Sequence, residues 1–182
     1  MRITILGIQG SGKSTQAVLL GEKLKLTVID VGGLIRQSCL TPNEKNKEAC
    51  EGMKKGDLVP NDFAAEVLKE RLKDKDCGKG FILDGYPRNL EQLNEYNPKI
   101  DVAILLDVQD IEAIKRLIER GRVDDTLEGI SKRVSWYHER TKKVLEFYKN
   151  QGRLLVVDGN RDATIIFSDL FASLIGLYPR LI

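Results

Sequence analysis

Residues 7–14 constrain the fold of this chain more than any other segment. They read GIQGSGKS and match the pattern GxxxxGK[ST]. An apolar run precedes them and a helical pattern begins at Lys13, so the motif lies at a strand-to-helix turn. Such a loop surrounds an anion with backbone N–H groups, and the next helix presents its positive end to the same point. We therefore predict a loop that binds the phosphates of a nucleoside triphosphate.

Five short apolar runs alternate with helical patterns along the chain. The runs are residues 3–6, 27–29, 81–83, 102–106 and 154–157. The last four lead into Asp30, Asp84, Asp107 and Asp158. Their near-continuous apolar character is typical of strands buried on both faces. We predict an α/β fold, a P-loop three-layer sandwich in which a parallel five-stranded sheet has helices on both faces.

Two segments interrupt the alternation, and we assign them to inserts within one domain of residues 1–182. Residues 30–60 form a polar, helical excursion between the second and third strands. Residues 120–126 form a short charged link before a long helical pattern over residues 127–150. Asp125 and Glu128 resemble a capping box at the start of that helix.

Composition excludes several classes of partner. Lys and Arg number 29 against 27 Asp and Glu, and aromatic residues make up 6%. Neither a bulk polyanion nor a nucleic acid is therefore expected. No apolar run reaches the roughly 18 residues of a membrane helix, and no signal peptide is recognisable. We expect no membrane partner and a cytoplasmic location.

The cysteine and histidine residues offer no chemistry in this interpretation. Cys39, Cys50 and Cys77 show no CxxC spacing, so we predict free, half-buried thiols rather than a disulfide or a zinc site. His138 is the sole histidine of the sequence and falls in a charged helical pattern. We predict a surface position for it.

The stretch FILDGYPRNLEQ, residues 81–92, is the second informative motif. Asp84 ends an apolar run, and a carboxylate there suits Mg²⁺. Gly85 and Pro87 shape a turn from which Arg88 emerges near the phosphate loop. A guanidinium in that place can bind phosphate oxygens through two hydrogen bonds.

The phosphate loop, the DGYPR turn and the arginines of residues 116–133 resemble the adenylate kinase family of nucleoside monophosphate kinases. The resemblance covers essentially the whole chain and is closest to the short form, with a small helical acceptor insert (residues 30–60) and a very short lid (residues 120–126). DVGGLIR at residues 30–36 resembles the family's STGDLLR, GDLVP at residues 56–60 its GxLVP, and RVDD at residues 122–125 its GRxDD. The resemblance implies a monomer that uses ATP, Mg²⁺ and a nucleoside monophosphate.

The resemblance also assigns site residues. Those for ATP are Gly10, Ser11, Gly12, Lys13, Ser14, Thr15, Arg116 and Arg120. Those for the acceptor are Val31, Arg36, Leu58, Val59, Gly85, Arg88, Gln92, Arg122 and Arg133. The catalytic cations among all of these are Lys13, Arg88, Arg122 and Arg133, and the Mg²⁺ ligands are Ser14 or Thr15 together with Asp84.

The identity of the acceptor is open at this stage. AMP is the predicted acceptor, yet Val31 and Gly33 stand where AMP-specific members have Thr and Asp. These departures, with Asn89, keep a UMP, CMP or broad-specificity kinase as the alternative. A protein that senses ATP without catalysis is a third possibility, which the joint presence of the arginines disfavours.

Overall fold

The computed structural model describes residues 1–41, 44, 46–54, 57–122 and 125–179. Within these ranges, five strands form one parallel sheet in the order β2-β3-β1-β4-β5. The strands are β1 (Arg2–Leu6), β2 (Thr27–Asp30), β3 (Phe81–Asp84), β4 (Val102–Asp107) and β5 (Leu154–Asp158). Every predicted strand is confirmed, and each is one residue longer than its apolar run.

Helices connect the strands. They are α1 (Lys13–Leu24), α2 (Val31–Ser38), α3 (Lys47–Lys54), α4 (Asn61–Arg71), α5 (Leu90–Glu95), α6 (Asp110–Arg120), α7 (Leu127–Trp136), α8 (Lys142–Asn150) and α9 (Ala163–Leu177). A 3₁₀ turn, Lys75–Cys77, precedes β3, and a π-helical turn, Tyr137–Thr141, joins α7 to α8. The predicted helix over residues 127–150 is therefore continuous but contains a π segment. His138 lies in that segment, half-exposed, with Nε2 2.7 Å from Oδ2 of Asp110.

The helices cover the sheet in two layers, as predicted. Alternate side chains of β1, β3 and β4 pack against α1 and α9 on one face, around Leu20 and Leu170. The opposite set packs against α4 and α8, around Leu68, Val144 and Tyr148. Because both faces are covered, apolar residues run nearly without interruption through the three inner strands.

The edge strand β5 departs from this expectation. β5 alternates between buried and more exposed positions, and Val156 is 55% exposed. It pairs with β4 along one side, and Leu155 and Val157 point to the layer that contains α9. The prediction that every strand is buried on both faces is therefore wrong for β5, because an edge strand is covered on one face mainly.

The carboxyl ends of the strands bring distant residues together. Asp30 at the end of β2 lies in register with Asp84 at the end of β3, and β1 continues beside them into the loop at Gly7. The acceptor insert leaves the sheet at this same edge, since α2 starts directly after Asp30. Asp107 and Asp158 form a second in-register pair on the other side of the phosphate loop.

The acceptor insert contains a disulfide that contradicts the sequence prediction. Cys39, the residue that ends α2, is bonded to Cys50 in α3, with their Cα atoms 5.4 Å apart. Spacing alone did not reveal the pair, because the contact depends on how α2 and α3 pack. Cys77 is a free thiol, as predicted, but it is buried rather than half-buried. Gly56, which the GxLVP match includes, lies outside the described residues.

Candidate active site

The phosphate loop owes its shape to its glycines. Gly10 has φ +88, and a Cβ built on it would lie 2.3 Å from the carbonyl oxygen of Ala113 in α6. Any side chain there would push α6 away from the loop. Gly12 precedes α1 in a left-handed conformation and provides no side-chain cap, so the first N–H groups of the helix face the cleft. The loop therefore presents backbone donors to an anion.

Lys13 lies inside the curl of this loop. Its Nζ donates to the carbonyl oxygen of Ile8 at 2.6 Å and to Oγ of Ser11 at 3.3 Å. Burial lowers its pKa to about 8, Asp84 opposes that shift, and Arg88 and Arg120 add to it. The ammonium is therefore destabilised while the site holds no anion, and a bound phosphate would restore its charge.

Ser14 and Asp84 meet at the floor of the cleft. The Ser14 hydroxyl donates to Oδ2 of Asp84, whose side chain is buried. Thr15 lines the cleft beside them. A hydroxyl and a carboxylate at one point form an all-oxygen donor pair, the kind of ligand set that Mg²⁺ uses together with phosphate oxygens. The residues predicted for the metal are thus brought together.

The turn after β3 fixes the position of Arg88. The Tyr86–Pro87 peptide bond is cis, and Nε of Arg88 donates to the carbonyl oxygen of Gly85 at 3.0 Å. The backbone N–H of Arg88 donates to Oε1 of Gln92 at 2.7 Å. Burial lowers the pKa of Arg88, with Asp84 acting in the opposite direction. Arg88 and Gln92 are therefore held as one unit.

A buried carboxylate organises the lid side of the cleft. Oδ1 of Asp125 lies 2.7 Å from Nη2 of Arg120 and 3.0 Å from Nη2 of Arg133. The backbone N–H of Arg122 donates to Oδ2 of Asp125 at 3.2 Å. Burial opposes ionisation of Asp125, yet the hydrogen bond and charge of Arg120, with smaller contributions from Arg122 and Arg133, hold its pKa below the usual range. One aspartate thus orients the side chains of Arg120 and Arg133 and holds the backbone at Arg122.

This role of Asp125 corrects the predicted capping box. The N-cap of α7 is Thr126, whose hydroxyl accepts the N–H of Gly129. Asp125 lies one residue earlier, and its carboxylate turns toward the arginines instead of the helix. The sequence did not predict this role of Asp125. Its carboxylate can bind either the start of α7 or the arginines, and the arginines come within reach only in the folded protein. Val123 and Asp124 of the predicted lid lie outside the described residues.

Arg116 lies one turn before Arg120 on α6 and faces the other end of the cleft. Its Nε donates to Oε1 of Glu112 at 2.8 Å, and its Nη1 donates to the carbonyl oxygen of Gly159 after β5 at 3.2 Å. Through these two hydrogen bonds, the guanidinium of Arg116 bridges α6 and the loop after β5. Nδ2 of Asn160 donates to the backbone carbonyl oxygen of Asp107 and to Oδ1 of Asp158, so the ends of β4 and β5 hold the loop around Asn160.

The acceptor insert provides the opposite wall. Arg36 projects from α2, and its Nη2 lies 3.0 Å from Oδ2 of Asp30. Val31 is buried beside it, and Leu58 and Val59 line the cleft from the end of the insert. Asn89 is buried away from this wall, where it caps α5 and donates to Asn61, so it gives no support to a pyrimidine acceptor.

An ion pair crosses the cleft between the insert and α7. Nζ of Lys132 lies 3.4 Å from Oδ1 of Asp57 and 3.1 Å from Oε1 of Glu128. Asp57 directly precedes Leu58, and Lys132 directly precedes Arg133. Sequence reasoning did not identify this contact, because its partners are distant along the chain. Asp57 lies within the GDLVP match, but Lys132 belongs to no motif.

Every predicted site residue except Ser11 lines one cavity of about 400 Å³. Its described lining contains seven cationic side chains against three carboxylates. The cations are Lys13, Arg36, Arg88, Arg116, Arg120, Arg122 and Arg133. They come from the phosphate loop, the insert, the β3 turn, α6, the lid and α7. Such an excess of fixed positive charge suits a ligand, or a pair of ligands, with several phosphate groups.

Comparisons with known proteins agree with this geometry. Residues 5–153 match the family model described as adenylate kinase. The chain is 39% identical to an adenylate kinase of Stenotrophomonas maltophilia over 87% of this chain and 91% of that protein. It is 35% identical to adenylate kinase 2 of a Nostoc species, over 96% of this chain and 99% of that protein. It is 38% identical to an adenylate kinase of Bifidobacterium longum, over 89% of this chain and 93% of that protein.

Proposed function

Because this chain belongs to the adenylate kinase family, we propose that its cleft transfers the γ-phosphoryl group of ATP to AMP and yields two molecules of ADP. The protein is a phosphotransferase of nucleoside monophosphates. The observation that carries the proposal is the convergence of Lys13 and six arginines, from separate elements, on one cavity. Two polyanions repel each other, and fixed cations between them lower the cost of bringing them together.

The donor occupies the phosphate-loop end in this proposal. Residues 10–15 surround the β and γ phosphates with backbone N–H groups, and Lys13 adds a charge at their junction. Arg120 lies beside them on α6. Arg116, held between Glu112 and the Gly159 carbonyl, lies farther along the same wall and contacts the rest of the nucleotide.

The acceptor occupies the insert end. Arg36 and Arg88 bind its phosphate, because both line the cavity and reach it from opposite walls. Val31, Leu58, Val59 and Gly85 provide an apolar and backbone surface for the base. Gln92 reads the edge of the base through its amide, since Oε1 already accepts from Arg88 and the NH₂ group is the donor that remains.

The chemistry requires orientation and charge neutralisation more than acid–base catalysis. A phosphate oxygen of AMP attacks the γ-phosphorus of ATP, the bond to the bridging oxygen breaks, and ADP leaves with the electron pair. The acceptor is ionised at pH 7, so no general base is needed. Lys13, Arg88, Arg122 and Arg133 stabilise the charge on the transferring group.

Magnesium is part of this proposal through the residues that fit it. Ser14 or Thr15 and Asp84 would hold it, since they offer oxygen donors at the cleft floor. The ion would neutralise charge on the donor phosphates. The described residues contain no cluster of three His, Cys, Asp or Glu side chains suited to a metal.

AMP is favoured over UMP and CMP by the names of the relatives, which are adenylate kinases. The test is a panel of AMP, GMP, UMP and CMP as acceptors with ATP and Mg²⁺. We expect kcat/KM for AMP to exceed that of the others by at least tenfold. A higher value for UMP or CMP would establish the alternative, and no ADP with any acceptor would remove the kinase assignment.

No helix of the described residues is long and apolar enough to cross a membrane. A cytoplasmic location and a monomeric state stay predictions. Size-exclusion chromatography with light scattering tests the second of them, and a mass near 20.5 kDa is expected.

A further inference from the structure

Asp30 makes two contacts at once from the end of β2. Its Oδ1 accepts the N–H of Gly33 at 2.8 Å and so caps α2. Its Oδ2 accepts from Nη2 of Arg36 at 3.0 Å. One carboxylate therefore ties the start of α2 to the arginine one turn later, and Asp30 itself lines the cavity.

The two glycines that follow make this arrangement possible. A Cβ at Gly33 would lie 2.5 Å from Oδ2 of Asp30, and one at Gly32 would lie 3.2 Å from Nη1 of Arg36. A side chain at residue 33 and the observed rotamer of Asp30 therefore exclude each other. This chain has Asp at residue 30 and Gly at residue 33, where the STGDLLR pattern of its family has Ser and Asp.

We propose that Asp30 is a positioning residue that aims Arg36 at the acceptor phosphate. Arg36 lines the cavity, and its bond from Nη2 to Asp30 limits the directions in which the guanidinium can point. Arg36 carries a flexible side chain, and restricting it before binding lowers the entropy cost of gripping a phosphate. This inference rests on the proposed function, because it takes the ligand of Arg36 to be the acceptor's phosphate.

The decisive variant is Asp30→Asn. An amide oxygen still accepts from Gly33 and keeps the cap, but the charge that holds Arg36 is removed. We expect KM for AMP to rise about three- to tenfold, with KM for ATP and Tm unchanged. Asp162→Asn is the matched control, because Asp162 caps α9 and does not line the cavity, and it should leave both KM values unchanged.

Two further variants separate positioning from a merely structural role. In an Arg36→Ala background, Asp30→Asn should have no additional effect on KM for AMP, because the residue through which it acts is gone. The exchange Asp30→Ser with Gly33→Asp should bring KM for AMP closer to the wild-type value than Gly33→Asp alone. A wild-type or lower KM in Asp30→Asn, or an undiminished effect in the Arg36→Ala background, would overturn the proposal.

Failure of this inference differs from failure of the proposed function. Absence of ADP formation by the wild-type protein would contradict the kinase assignment. Normal turnover by the wild type, with an unchanged KM for AMP in Asp30→Asn, would contradict only the positioning role of Asp30. A readout independent of turnover is the ¹⁵N spectrum of the Arg36 guanidinium. Rotation of its NH₂ groups should be restricted in the wild type and free in Asp30→Asn, and equal rotation in both would also overturn the proposal.

Discussion

The phosphate loop and the acceptor insert face each other across the same cavity but are held together in different ways. The loop is a backbone structure, shaped by glycine conformation and close contact with α6. The insert is held by side chains, namely the Asp30–Arg36 pair, the Cys39–Cys50 disulfide and the Lys132–Asp57 contact. The first kind of structure tolerates few changes, whereas the second can be rebuilt with different residues. The predictions below test this contrast.

The largest effect is expected from two cations assigned to the transferring phosphoryl group, one in the phosphate loop and one on the turn after β3. Lys13→Ala and Arg88→Ala should each lower kcat by about 10²–10³-fold or more, because a preorganised charge at the transferring group is lost. Steady-state kinetics and circular dichroism measure turnover and fold. Lys23→Ala is the matched control, since Lys23 is an exposed residue on the same helix. Near-normal turnover in either cleft variant removes that residue from the mechanism.

Removing the anchor of the lid arginines should have the next largest effect. Asp125→Asn weakens the hold on Arg120 and Arg133, and we expect kcat to fall roughly tenfold or more. The free energy of unfolding should fall by about 1–3 kcal/mol, because Arg133 is left buried with less compensation. Denaturant titration and kinetics measure both quantities.

A control for this variant is Asp74→Asn, which breaks an exposed pair with Arg71. That change should cost within about 0.5 kcal/mol. Equal effects of the two substitutions would show that Asp125 has no special role. The depressed pKa of Asp125 also means that its contribution is present at neutral pH and is lost in acid, as pH falls through the folded-state value.

Breaking the disulfide should loosen the insert and leave the loop intact. A bridge across 11 residues stabilises by roughly 2–3 kcal/mol in the chain-entropy view. Reduction with a dithiol, or Cys39→Ser with Cys50→Ser, should lower Tm and raise KM for AMP more than KM for ATP. The double variant should be insensitive to the dithiol. Three reactive thiols in the denatured, unreduced protein, rather than the single thiol of Cys77, would contradict the bridge.

A smaller effect is expected from pH, and it acts on the phosphate loop through the protonation of Lys13. The pKa of Lys13 is lowered to about 8 from 10.5, so the unliganded site loses this proton above pH 8. ATP phosphates favour the charged form, so ATP binding at pH 9 should take up a proton and weaken as pH rises. Calorimetry in buffers of different ionisation enthalpy measures the uptake, and Lys13→Met should abolish it. No uptake by the wild type would show that Lys13 stays charged.

The sign of this pH effect also excludes unfolding as its cause. Because the folded-state pKa of Lys13 lies below its unfolded value, the unfolded chain binds more protons between pH 8 and 10.5. The contribution of this group to stability therefore rises with pH in that window. Weaker ATP binding there reflects the loss of charge in the loop.

The sequence predicted the loop side better than the insert side, and for a physical reason. Short-range patterns are enough to predict the strands, the position of Asp84 at a strand end and the loop around Lys13. Apolar runs and glycines determine the backbone conformation of the segments in which they occur. The disulfide, the Asp125 anchor and the role of Asp30 depend on which rotamer a side chain adopts once distant helices have packed. The motifs indicated that Arg36, Arg88, Arg122 and Arg133 belong together, but not which carboxylates orient them.

The central claim is that cations from separate elements converge on one transferring phosphoryl group. A crystal structure with a two-headed nucleotide, in which adenosine groups are joined by a chain of phosphates, tests it most directly. Lys13, Arg88, Arg122 and Arg133 should all lie within hydrogen-bond distance of the central phosphates. Guanidinium groups of Arg122 and Arg133 that point away from those phosphates in the closed complex would contradict the account.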